Sequence, residues 1–320
     1  MRIAILGTGA LGCVFAARLA PLAEVWMVGT WAAGVEAVRQ HGVRLYEPDG
    51  RLRQVAVAAT TNPAEVPAAD LVLLLVKSYQ TERAAAWAAQ ILAAERERGE
   101  PALALTLQNG LDNYERLVGT VGARRAVAGV TYNGATLLGP GEVRHVAILP
   151  TYIGLPRFTA SGHAASSVVP GQAELEQTAR LLTAAGLETH VEQDITGRLW
   201  GKALANAAIN PLTALWRVPN GDLLASADRR ALLHALAEEV AAVARGLGIT
   251  LPYADAATYV EEVCRATAAN RSSMLQDVER GRPTEIDSIN GVIVAQGRQI
   301  GVPVPVNETV WRLVRGLTAL

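Results

Sequence analysis

Gly7-Thr8-Gly9-Ala10-Leu11-Gly12 constrains this 320-residue chain more than any other segment. It follows the apolar run Arg2–Leu6 and opens an apolar helical stretch, so it sits where a strand turns into a helix. Each glycine then has its own task. The first permits a tight turn, the second lets the backbone approach a pyrophosphate, and the third lets helix and strand pack closely. Free N–H groups at the helix start face the anion. The competing reading is a glycine-rich strand–helix turn without a ligand. The order of strand, motif and helix favours the dinucleotide-binding reading.

Short apolar runs continue through the first half of the chain. Val25–Val28, Leu71–Val76, Leu103–Leu107 and Ala126–Val130 read as buried strands, with helices at Leu11–Leu19 and Glu82–Arg96. That alternation predicts a parallel sheet with crossover helices. Glu142–Val146 and Thr151–Ile153 read as a later antiparallel pair, and 156–172 as a mobile surface connection. From Asp194 the strand-like runs nearly vanish. Asp194 is a candidate N-cap for a helix over Arg198–Ile209, and Pro211 is expected to kink or end it. Further helices are predicted at Arg229–Leu247, Tyr253–Asn270, Ser272–Arg280, Ile286–Ile300 and Asn307–Leu317. The expected boundary falls near Gln193, giving domains 1–193 and 194–320.

Half the residues are apolar, enough for a sizeable core, and the formal net charge is −1. No lysine or arginine run stands out, which argues against a nucleic-acid partner. Cys13 and Cys264 form no CxxC or Cys/His cluster, and the five histidines lack metal-ligand spacing, so no metal is expected. Leu71–Val76 is too short to span a bilayer. The N-terminus lacks a signal-peptide pattern, so a soluble cytoplasmic protein is expected. The alanine-rich C-terminal helices could form a homodimer interface.

Several polar residues stand at strand ends, where ligands of open α/β sheets bind. Lys77 follows Leu71–Val76, with Gln80 three residues on, and Asn109 follows Leu103–Leu107. The alternative is a surface cap at Lys77 and a turn former at Asn109. After the second strand an acidic residue would suit NAD and an arginine NADP. The chain has Gly29-Thr30-Trp31, neither acid nor arginine, and Arg39 further on reads better as a solvated side chain.

The second half carries a polar stripe. Lys202, Asn206 and Asn210 recur every four residues among alanines and leucines. Each step of four drifts only about 40° around a helix, so the three share one narrow face. A lysine in such a setting must be paired or lose its charge. Spacing alone leaves a structural network and a polar ligand site equally open. Ser273 and Asp277 share a second face. Thr284 is a candidate cap, which would put Glu285 in a first helical turn, favoured by the helix dipole.

These residues, in this order, resemble the ketopantoate reductase (2-dehydropantoate 2-reductase) family over nearly the whole chain. The resemblance rests on Gly7–Gly12, Lys77 and Asn109-Gly110. It continues through Lys202-x3-Asn206-x3-Asn210-Pro211-Leu212-Thr213, Pro219-Asn220-Gly221, Ser272–Asp277 and Thr284–Asp287. It implies an α/β fold: an N-terminal Rossmann-type dinucleotide-binding domain and an all-α C-terminal domain. It implies Lys202 as proton donor, with Glu285 as a second catalytic residue. Asn206, Asn210, Asn220, Ser273 and Asn109 would bind substrate. Gly7, Thr8, Gly9, Ala10, Leu11, Gly12, Thr30, Lys77, Asn109, Ala135 and Glu285 would contact the cofactor. NADP(H) is favoured, yet Thr30 stands where the family often has an arginine, so NAD(H) stays open.

The expected reaction is NADPH-dependent reduction of 2-dehydropantoate to (R)-pantoate, a step towards pantothenate and coenzyme A. The alternatives are a related reductase of another small 2-keto or hydroxy acid, or a non-catalytic NAD(P)H-binding sensor. The presence of Lys202, both asparagines, Ser273 and Glu285 argues against the sensor.

Overall fold

The computed structural model describes residues 1–92, 102–157 and 169–318. The chain forms two compact units. The first comprises Met1–Gln108, Asn113–Arg157 and the described residues up to Ile195; the second comprises Asn109–Asp112 and the described residues from Thr196 onward.

The first unit holds the strands β1 (Arg2–Leu6), β2 (Glu24–Val28), β3 (Val43–Tyr46), β4 (Leu52–Val55), β5 (Ala58–Thr60) and β6 (Leu71–Leu74). It continues with β7 (Leu103–Thr106), β8 (Ala126–Thr131), β9 (Gly134–Gly139), β10 (Glu142–Ala147), β11 (Thr151–Gly154) and β12 (Thr189–Glu192). Its helices are α1 (Ala10–Leu19), α2 (Ala32–His41), α3 (Thr81–Ile91), α4 (Asn113–Val121) and α5 (Gln172–Ala184). The main sheet has the order β12-β11-β8-β7-β6-β1-β2-β5. Its neighbours are parallel except β11 and β8. Strands β1, β6 and β7 are almost wholly buried and apolar, as strands covered on both faces must be. The order switches direction at β1, which pairs with β2 on one side and β6 on the other. The turns leaving β1 and β6 therefore flank the switch point where such sheets hold ligands.

The second sheet has the order β4-β3-β10-β9. It corrects one expectation. Glu142–Val146 does not pair with Thr151–Ile153: β10 runs antiparallel to β9 and parallel to β3, whereas β11 joins the main sheet. Strand β10 alternates, with Val143 and His145 buried and Arg144 and Val146 exposed, so it suits a sheet covered on one face. The last residues of the expected helix Glu82–Arg96, and most of the 156–172 connection, lie outside the described residues.

The second unit is helical: α6 (Thr196–Trp216), α7 (Ala227–Gly246), α8 (Ala256–Ala266), α9 (Ser273–Glu279), α10 (Val292–Ile300) and α11 (Pro305–Thr318). Helix α6 contacts α7, α8, α9 and α11 and is apolar on most of its circumference, as a central helix must be. Its length is a second correction, because it does not end at Pro211. Proline removes the N–H that would bond the Ala207 carbonyl. Asn290 Nδ2 supplies a donor instead, 3.0 Å from Ala207 O. Among the described residues no helix is long and apolar enough to cross a membrane, and no group of three or more His, Cys, Asp or Glu is placed to hold a metal.

Candidate active site

The glycine turn meets the three demands placed on it. Gly7 has φ +127°, and a Cβ there would lie 2.8 Å from Leu75 O. A Cβ on Gly12 would lie 2.1 Å from Gly7 O, whereas one on Gly9 would meet nothing within 4 Å. The chain's own packing thus requires the outer glycines. The middle one opens onto free space at the start of α1, where Gly9 is the N-cap and no side chain caps the helix. That is a place a phosphate fits. Ala10 and Leu11 form the first turn of α1. Thr8 is buried, and its Oγ1 lies where a Cβ on Gly29 would come within 2.7 Å. Thr30, one residue on, is exposed, and Arg39 on α2 is exposed as well.

Lys77 leaves β6 partly buried, beside a hydrogen-bonded cluster that fixes the strand ends. Gln108 Nε2 donates to Val76 O at 3.1 Å and to Thr81 Oγ1 at 2.8 Å, while Thr106 Oγ1 donates to Gln108 Oε1 at 3.0 Å. Ala135 lies on β9 opposite His145. His145 is 0% exposed. Its Nε2 lies 2.9 Å from Asn133 Oδ1, and its Nδ1 lies 3.4 Å from Arg18 Nη2. Arg18 also bonds the buried Glu47 carboxylate at 2.5 Å. Burial, with the Arg18 charge, pushes the His145 pKa down to about 4. A neutral ring that donates from Nε2 and accepts at Nδ1 satisfies both contacts.

In the helical unit, α6 presents the polar stripe. Lys202 and Asn206 are partly accessible although most of their neighbours on α6 are buried, and Asn210 is buried. Desolvation lowers the Lys202 pKa to about 8, and the Glu285 carboxylate works in the opposite direction. Glu285 is buried and accepts from Asn109 Nδ2 at 3.2 Å, a contact spanning 176 positions of sequence. Leu111 N donates to Ser288 O at 3.1 Å, and Leu111 joins the apolar core of the helical unit. Residues 109–112 therefore pack with that unit although they follow β7 in sequence.

Thr284 does not act as the expected cap, because its Oγ1 is buried without a hydrogen-bond partner. Glu285 instead precedes a wide turn over Asp287–Gly291, in which Gly291 N bonds Ile286 O at 3.0 Å. Ser273 opens α9, partly accessible. Its neighbour Ser272 caps α9, accepting from Leu275 N at 3.1 Å, and receives the Thr213 hydroxyl of α6 at 2.7 Å. Asn220 is buried; its amide N donates to Asn270 O at 3.0 Å and its Nδ2 to Thr267 Oγ1 at 2.9 Å. The structure thus groups Lys202, Glu285 and Asn109 directly. It ties the start of α9 to the same helix through Thr213.

Two further signals lie in the sequence. The chain contains 27 arginines and only two lysines, Lys77 and Lys202, both at candidate site positions. Arginine serves equally well on a solvated surface, whereas a compact ammonium that changes its pKa on burial suits proton transfer. The other signal is Asn290, five residues past Glu285, which reaches α6.

A mainly parallel sheet with a glycine-rich turn at its switch point, joined in one chain to a helical unit carrying a desolvated lysine, is the architecture of a Rossmann-type nicotinamide-dependent oxidoreductase. The chain belongs to the ketopantoate reductase PanE/ApbA family: residues 3–157 match that family's model, and 194–318 match the model of its C-terminal domain. It is 34% identical to the 2-dehydropantoate 2-reductase of Archaeoglobus fulgidus, over 99% of this chain and 97% of that protein. A PanE/ApbA family ketopantoate reductase from Ralstonia eutropha JMP134 has a similar crystal structure, with a TM-score of 0.85 and 33% identity over 99% of this chain and 98% of that one. D-mandelate dehydrogenase, in a ternary structure with NADH and anilino(oxo)acetate, is also similar. Its TM-score is 0.87, at 25% identity over 99% of this chain and 98% of that one.

Proposed function

We infer that the protein reduces 2-dehydropantoate to (R)-pantoate with a nicotinamide cofactor. The observation that carries the mechanism is the partly accessible Lys202, drawn down to about 8 by burial with Glu285 opposing. A bound dihydronicotinamide supplies the hydride that the keto carbon accepts. Lys202 meets the negative charge that grows on the keto oxygen and delivers the proton from Nζ. A donor near neutrality gives up its proton more readily than an ordinary lysine while remaining largely charged at pH 7. Glu285 keeps that charge on Lys202, and Asn109 Nδ2 orients Glu285. Asn206 and Asn210, further along the face, donate to the substrate's polar oxygens. Ser273 at the start of α9 and Asn220 complete the set that receives its hydroxyl and carboxylate. Gly7, Thr8, Gly9, Ala10, Leu11 and Gly12 would hold the pyrophosphate and Thr30 the adenosine ribose, and Lys77, Ala135, Asn109 and Glu285 would be the further cofactor contacts.

A second reading, NADH-dependent reduction of another 2-keto acid, draws support from Thr30 and from the similarity to an NADH-bound D-mandelate dehydrogenase. One experiment separates the two: oxidation of NADPH and of NADH, side by side, with 2-dehydropantoate and with aliphatic and aryl 2-keto acids. The first reading predicts the highest kcat/KM for 2-dehydropantoate. A higher kcat/KM for another keto acid would replace it by the second.

A further inference from the structure

Pro211 has no N–H, so the Ala207 carbonyl four residues earlier lacks a donor from its own helix. Helix α6 nevertheless continues to Trp216. The missing donor comes from Asn290, whose Nδ2 lies 3.0 Å from Ala207 O and 3.0 Å from Asn307 Oδ1. Asn307 is itself held: its Nδ2 donates to Leu236 O at 3.1 Å and to Glu239 Oε2 at 2.8 Å. The Glu239 carboxylate also accepts from Val306 N and Asn307 N at the start of α11, at 2.9 and 2.8 Å. Neither asparagine is exposed, each at 0%. The direction of the Asn290 amide is fixed as well. Turning it over would set Oδ1 against two acceptors, although Oδ1 as it stands is buried without a hydrogen-bond partner. A buried amide kept at that expense calls for an explanation.

Its place in the chain supplies one. Ala207 adjoins Asn206 and lies five residues beyond Lys202, and Asn290 lies five residues beyond Glu285. Between Glu285 and Asn290 the backbone closes on itself, through Ile289 N to Glu285 O at 3.1 Å and Gly291 N to Ile286 O at 3.0 Å. Wide turns of this kind recur at functional sites. We propose that Asn290 is a positioning residue: docked on the carbonyl that Pro211 leaves free, it holds the turn carrying Glu285 against the helix carrying Lys202, Asn206 and Asn210. Its catalytic consequence rests on the reading of Lys202 as proton donor; its structural content does not.

A merely structural role would end at satisfying the Ala207 carbonyl, and Pro211→Ala separates the two. That substitution gives α6 its own donor for Ala207 O but leaves the Glu285 turn without its anchor when Asn290 is lost. The readout is the titration of lysine Cε by 13C NMR. With lysine only at 77 and 202 the labelled protein gives two signals, assigned with Lys77→Arg. Asn290→Leu should lower the Lys202 midpoint by about one pH unit as the carboxylate draws away, and should lower Tm. In Pro211→Ala/Asn290→Leu, Tm should recover while the midpoint stays low; this variant also serves if the single one folds poorly. Pro211→Ala alone should titrate as the wild type does. Glu285→Gln should lower the midpoint by itself, and Asn290→Leu added to it should lower it no further. A wild-type midpoint in Pro211→Ala/Asn290→Leu overturns the proposal, and so does a further drop in the Glu285→Gln background. If the wild type reduces no keto acid the proposed reaction fails, yet these titrations still decide the role of Asn290.

Discussion

His145 in the sheet unit and Lys202 in the helical unit are both bases that burial drives towards neutrality, to about 4 and about 8. Their surroundings differ. His145 is sealed from solvent between Asn133 and Arg18, both ring nitrogens engaged, with a cation pressing its charge away. Lys202 is partly accessible, and the charge beside it is a carboxylate that restores part of what burial removes. Desolvation by itself therefore does not mark a reacting group. Access and an opposing charge distinguish a base that can exchange a proton with a ligand from one that only holds strands together.

Removing each base should have opposite consequences. Lys202→Ala is expected to lower kcat roughly 1,000-fold. Cofactor affinity, followed by NADPH fluorescence, and Tm should change little. His145→Leu should do the reverse, lowering Tm while kcat stays within about twofold, because it removes the buried donor that Asn133 Oδ1 faces and one of the contacts of Arg18. A His145 variant as inactive as the Lys202 one would break the comparison.

The pH profiles sharpen it. Reduction needs Lys202 protonated, so kcat should fall as pH rises through about 8, the value set by burial against Glu285. A flat profile up to pH 10 would remove Lys202 as the donor. His145 gives the other sign. Its folded pKa of about 4 lies below the ordinary 6.5, so the unfolded chain binds more protons between those values. Its contribution to stability is complete above pH 6.5 and is lost as pH falls towards 4, by about 3 kcal/mol. Urea unfolding at several pH values should show that loss in the wild type and a weaker dependence in His145→Leu.

The smallest effect concerns the cofactor. Thr30→Arg adds a cation at an exposed position past β2 and should raise the NADPH-to-NADH preference in kcat/KM roughly tenfold. An unchanged ratio would place the 2′-position elsewhere.

Much of the main sheet is legible, because β1, β6, β7 and β8 are nearly unbroken apolar runs, and β1 matches its expected range to the residue; Thr189-His190-Val191-Glu192 of β12 carries no such run. The small sheet was harder. β3 and β4 have only four residues each, and β9 has no buried residue, so none carries a buried apolar run to announce it. The expected end of α6 at Pro211 falls short because proline rules are local, and the amide that rescues Ala207 comes from a residue 83 positions away. In the site, the Lys202 stripe was visible through its period. The Asn109–Glu285 contact was not, since the two are brought together only by the fold, and Thr284 looked like a cap on composition alone.

The scarcity of lysine has a practical side. At pH 7.5 an ordinary lysine is unprotonated in roughly one molecule in a thousand. With its pKa near 8, Lys202 would be so in about a quarter of molecules. Of the two lysine side chains, an amine-selective acylating reagent near neutrality, at low excess, should therefore favour Lys202. Substrate and cofactor should slow that modification, which makes a mass-spectrometric footprint of site occupancy available without any engineered label.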